Sequence, residues 1–194
     1  MMSDGQVNMD TIKWLKNGII ALAIAGLYSI ILVLLRTPQL SYFFTDKSMF
    51  KSALVIHVNL SVLVWMLSIV AMIWSLNKFK TGFEGVYSVL AFLGMVLMSL
   101  SPLCPESVPV MNNYIPMLEN IVFIVGLSLF GVGVLCYAVQ TVFTSFIRCY
   151  EGYGGRLIAI NNFTSSLMYI LVWFCFAFSY LQLDSLIEIV PLDL

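Results

Sequence analysis

The sequence predicts an all-α polytopic membrane helix bundle, a single membrane domain over residues 1–194. Three observations carry that expectation. Hydrophobic residues make up 61% of the chain and charged residues 10%, against roughly 25% charged in a soluble domain. Five apolar runs are long enough to cross a hydrocarbon core of about 30 Å, which takes about 20 helical residues. Between them the chain breaks at clusters of proline, glycine and charge, the residues that end helices.

The first span is expected over 17–35, ending at Arg36-Thr-Pro38. It is too long for a signal-peptide core and no small-x-small cleavage site follows, so it should stay as an anchor. A second span over 53–76 ends at Asn77-Lys-Phe-Lys-Thr-Gly82. The third, 86–103, runs into Pro102-Leu-Cys-Pro-Glu-Ser-Val-Pro109. Spans at 117–142 and 158–181 flank a polar stretch from Arg148 to Arg156 that holds Gly152, Gly154 and Gly155. On the fourth span Gly126 and Gly133 fall within about 20° of each other at 3.6 residues per turn, which marks a close helix contact. Asn161-Asn162 reads as an interfacial hydrogen-bonding cap at the start of the fifth span, and Asn112, Asn113 and Tyr114 as closing the outer loop.

Charge excludes one class of partner and orients the chain. With a formal net charge of -1 and no basic run, nothing tracks a phosphate backbone, so no nucleic acid is expected. Lys13, Lys16, Lys78, Lys80, Arg148 and Arg156 fall on one side, and Arg36, Lys47 and Lys51 on the other. The positive-inside rule then places the amino terminus on the cytoplasmic or matrix side and the carboxyl terminus outside. Cysteines at 104, 136, 149 and 175 form no C-x-x-C pair and read as small apolar side chains. An odd number of spans without an internal repeat argues against an inverted-repeat carrier.

His57 is the one histidine in the chain. An ionisable, metal-ligating group at membrane depth is costly and marks a candidate site. At about 100° per residue Ser61, Val64, Ser68 and Ser75 fall within about 40° of it, and Asn59, Val62, Leu63, Met66, Val70 and Ile73 opposite. The histidine stripe is small and partly polar, suited to the close approach of a helix or a flat macrocycle. Three roles remain open: a neutral imidazole donating across a helix interface, a metal or haem ligand, or a proton relay.

The segment Ala53-Leu-Val-Ile-His-Val-Asn-Leu-Ser-Val-Leu-Val-Trp65 resembles the second helix of haem-copper terminal oxidase subunit I. Leu34-Leu-Arg-Thr-Pro-Gln-Leu40 is similar to the exit of that family's first helix. Pro109-Val-Met-Asn-Asn-Tyr-Ile-Pro-Met117 with Phe123-Ile-Val-Gly-Leu-Ser-Leu-Phe130 looks like its connection from third to fourth helix. The resemblance implies that His57 is an axial ligand of a low-spin haem, with Ser61 and Ser68 on a haem-facing or helix-packing face. It also implies a bundle of about twelve helices, whose second low-spin ligand, high-spin haem ligand and copper ligands come from later helices. Met111, Tyr114 and Met117 read as packing and headgroup anchors rather than substitutes, and Asn77 and Glu84 as no proton path.

The expected function is therefore the amino-terminal part of a respiratory oxidase subunit I in a bacterial or mitochondrial inner membrane. It would share a haem with a partner chain carrying the later helices, sit among other oxidase subunits and lipid, bind no copper, and be inactive alone. The alternative is a non-catalytic accessory or assembly protein of a respiratory complex.

Overall fold

The computed structural model describes residues 9–37, 47–76, 83–104, 108–110, 116–147 and 153–187. Helix α1 spans Met9–Arg36. Helix α2 (Lys47–Val58) opens into a π turn over Asn59–Val64 and continues as α3 (Trp65–Ser75). Helix α4 (Glu84–Leu100) ends in a 3-10 turn over Ser101–Leu103. A short antiparallel hairpin follows, β1 (Val108–Val110) with β2 (Met117–Glu119), in which Pro109 faces Leu118. Helices α5 (Ile121–Ile147) and α6 (Tyr153–Ile187) follow. Among the described residues five helical segments are long and apolar enough to cross a membrane, so this is an all-α, multi-pass membrane protein.

The helices outrun the apolar runs that announce them. The second begins at Lys47 rather than 53, and the fifth at Tyr153 rather than 158. Hydropathy follows the hydrocarbon slab, whereas a helix continues as long as its backbone bonds close. The added turns of α2 carry the exposed Lys51, which suits headgroups. The fourth helix instead starts late, at Ile121, because Met117–Glu119 is taken by β2. Asn120 sets that start: its Oδ1 accepts the Val122 N–H at 2.8 Å, an N-cap bond.

Two compact units divide the chain, Met1–Tyr137 and Ala138–Leu194, the boundary falling inside α5. In the first unit α1 lies against α2, the π turn, α3 and α4. Polar side chains tie it there: Asn17 Nδ2 donates to the Ser88 carbonyl at 3.1 Å, the Tyr28 hydroxyl to the Ser99 carbonyl at 2.7 Å, and the Ser75 hydroxyl to Thr11 Oγ1 at 2.8 Å. Such bonds matter in lipid, where an unpaired polar group has no water to turn to.

Helix α4 meets α5 backbone to backbone. A Cβ placed on Gly94 would stand 2.5 Å from both the Gly126 carbonyl oxygen and the Phe130 nitrogen. On Gly133 it would stand 2.9 Å from the Tyr87 carbonyl oxygen. The expected contact along Gly126 and Gly133 is present, with Gly94 and Ala91 as its other half. Nearby, Trp14, Trp74 and Tyr87 gather around Tyr137, with Trp14 stacked on it at 5.3 Å between ring centroids. Trp14 and Trp74 are fully buried.

In the second unit Asn161 and Asn162 do not sit at a helix start. They lie in the interior of α6, and their carbonyls accept the hydroxyls of Ser165 at 2.7 Å and Ser166 at 2.5 Å. The Asn162 side chain is fully buried, and its amide has no hydrogen-bond partner among the described residues. Residues 111–115, and with them Met111, Asn112, Asn113 and Tyr114, lie outside the described residues, as does Asn77.

Candidate functional site around His57

His57 stands one residue before the end of α2, with the π turn beginning at Asn59. Its Nδ1 lies 2.9 Å from the Ala25 carbonyl oxygen of α1. A carbonyl only accepts, so Nδ1 carries a proton, and whenever the ring is neutral its lone pair lies on Nε2. Metal-ligating histidines are oriented in this way, by a carbonyl on the other ring nitrogen. The same bond also satisfies a histidine that merely packs.

The π turn accounts for the faces of the second span. Up to its first two residues, Ser52, Ala53, Val55, Ile56, Asn59 and Leu60 are buried; from its last residue onward, Val64, Ser68, Ala71, Trp74 and Ser75. Plotted on an uninterrupted α-helix these two sets are centred about 90° apart. An i→i+5 turn inserts about one residue of phase, roughly 100°, which removes the difference. Val64, Ser68 and Ser75 are thus buried as the sequence predicts, and Val62 and Met66 exposed. His57 and Ser61 are half-buried at the edge of the packed face, and Asn59, expected opposite, is 2% exposed.

Each predicted site residue has a place. Ser61 Oγ donates to the His57 carbonyl at 2.7 Å, closing the turn beneath the imidazole. Ser68 belongs to the helix-packing face: a Cβ on Gly18 of α1 would lie 3.5 Å from the Ser68 Cβ. Being eleven residues from His57 along the same span, Ser68 is about 16 Å away at 1.5 Å per residue. Its hydroxyl has no partner among the described residues. Arg36, at the exit of α1, sits over the Phe50 ring at 5.0 Å, a cation–π contact.

Asn59 is the residue that helical periodicity misses. Its Nδ2 donates at 2.8 Å to the Val55 carbonyl and at 2.8 Å to the Pro116 carbonyl just before β2. An amide at membrane depth two residues from the histidine is the signal that singles it out, since such groups are retained where they are bonded. A groove of about 250 Å³ lies beside it, between Val58, Val62, Met66 and Pro116, and His57 does not line it. Among the described residues no three His, Cys, Asp or Glu side chains gather as a metal site.

No known family's sequence profile matches the chain, and no solved structure matches it. Relatives include an uncharacterized protein of Rickettsia prowazekii (strain Madrid E), 42% identical over 208 residues, covering 93% of this chain and 40% of that protein. An uncharacterized protein of Aquifex aeolicus (strain VF5) is 29% identical over 166 residues, covering 83% of this chain and 42% of that protein. The chain therefore spans about two fifths of the length of the curated relatives it matches.

Proposed function

We propose that this chain supplies His57 as one axial ligand of a low-spin haem, as part of a haem-copper oxidase subunit I in which further helices provide the other ligands. The single observation that carries the reading is the bond from Nδ1 to the Ala25 carbonyl. It fixes the tautomer whose Nε2 lone pair is free for iron and sets the direction in which that lone pair points. One imidazole fits a haem better than a bare metal ion, because the macrocycle brings four nitrogens of its own and asks the protein only for axial groups. When bound, the haem would supply one-electron transfer towards an oxygen-reducing centre held elsewhere.

The chain's own residues orient and bury the ligand. Ala25 holds the ring, Ser61 closes the helix under it, and α1 shields it on one side. The greater length of both relatives is consistent with further helices that would carry the remaining ligands. Orientation with the amino terminus inside, from the distribution of basic residues, would bring His57 into the outer half of the membrane.

Haem content tests the reading. A tagged chain purified from its own membrane together with its associated polypeptides should carry a low-spin haem, and the isolated chain should carry less. Helices that insert and assemble with no haem in either preparation would favour the accessory-protein reading, in which the bond to Ala25 serves packing alone.

A further inference from the structure

We propose that Asn59 is a positioning residue, coupling the outer hairpin to the imidazole of His57 through the π turn. The proposal takes His57 as the functional side chain, as above. Its test, however, reads the imidazole directly and needs no haem.

Four observations converge on Asn59. It is the first residue of the π turn and lies two residues after His57. It is 2% exposed, with both amide hydrogens engaged. One goes to the carbonyl of Val55 within its own helix, the other to the carbonyl of Pro116, which leads into β2. Both hairpin strands also lie against α2, and Leu118 of β2 is fully buried.

The physical link is the phase of the helix. A π turn persists where side chains or tertiary contacts compensate the disturbed i→i+4 ladder. Here Asn59 and Ser61 both place donors on carbonyls four residues back. Without the tie to Pro116, the turn loses its tertiary support and the α-helix is free to close. Closing it removes about 100° of phase between α3, held to α1 by the bond from Ser75 to Thr11, and the turns that carry His57. The ring then moves off the Ala25 carbonyl, which fixes its tautomer and aim. A docked hairpin therefore presents Nε2 in one direction, and a detached one releases it.

The lone histidine makes this readable. In protein labelled with ¹⁵N only at histidine and reconstituted in nanodiscs, the wild type should give one pair of ring signals, that of an Nδ1–H tautomer. Asn59→Leu removes both donors at nearly constant shape. Asn59→Thr is the gentler variant: its hydroxyl still reaches the Val55 carbonyl, as threonines do within helices, but not Pro116. Both should raise the Nε2–H tautomer about fivefold, the scale of one net hydrogen bond. Ser68→Ala, equally buried but remote from the hairpin, should leave the signals unchanged. Unaltered ring signals in Asn59→Thr would overturn the proposal, as would the same shift in Ser68→Ala. Loss of haem binding in the wild type would instead overturn the ligand reading and leave this result standing.

Discussion

Replacing Gly94 by alanine should destabilise the bundle more than any other single methyl addition at a helical glycine of α1 or α4. The new Cβ would stand 2.5 Å from the Gly126 carbonyl oxygen and the Phe130 nitrogen and 2.9 Å from the Phe130 Cα, against 3.4 Å for ordinary contact. All three are backbone atoms, so no rotamer change relieves them. Helices α4 and α5 must separate by about 0.9 Å, the difference between 3.4 and 2.5 Å, which loosens the neighbouring contacts at Gly126 and Gly133. Overpacking of this kind costs about 1–3 kcal/mol. Alanine is the better helix former by about 1 kcal/mol, and Gly26, with nothing within 4 Å of its Cβ position, isolates that gain. Unfolding in mixed micelles, followed by circular dichroism against denaturant fraction, should show Gly94→Ala weakened and Gly26→Ala unchanged or slightly strengthened. Equal behaviour of the two variants would refute the backbone-to-backbone contact between α4 and α5.

Other outcomes follow from the same packing and charge arguments. Ser68→Phe should impair assembly far more than Val70→Phe, because Ser68 is fully buried against α1 while Val70 is half-buried; detergent-resistant yield compares them. Impermeant thiol reagents applied from outside should label Cys104 and spare Cys149, and the reverse pattern would invert the assigned orientation. Oxygen consumption should be absent in this 194-residue chain by itself and appear only when helices carrying the remaining ligands are present, since one imidazole cannot hold a second haem and copper. Turnover by the isolated chain would contradict the proposed division of ligands.

Much of this architecture is legible in the sequence because lipid imposes it. Length and apolarity alone mark five spans, and Gly126 with Gly133 declare a contact because only hydrogen atoms fit there. What escapes periodicity depends on tertiary bonds. The π turn rests on an amide reaching Pro116, 57 residues away, and no local pattern encodes that reach. Strands of three residues interrupted by Pro109 carry too little alternation to be read as a hairpin. Asn162 looks like a cap only while the fifth helix is assumed to begin where its hydrophobicity does.

A difference spectrum tests most directly whether His57 binds haem iron. Reduced-minus-oxidised spectra of the assembled protein should contain a low-spin haem band in the wild type. His57→Ala should remove that band while all five spans remain inserted, because insertion depends on apolar length rather than on the ligand. An unchanged low-spin band in His57→Ala would contradict the assignment.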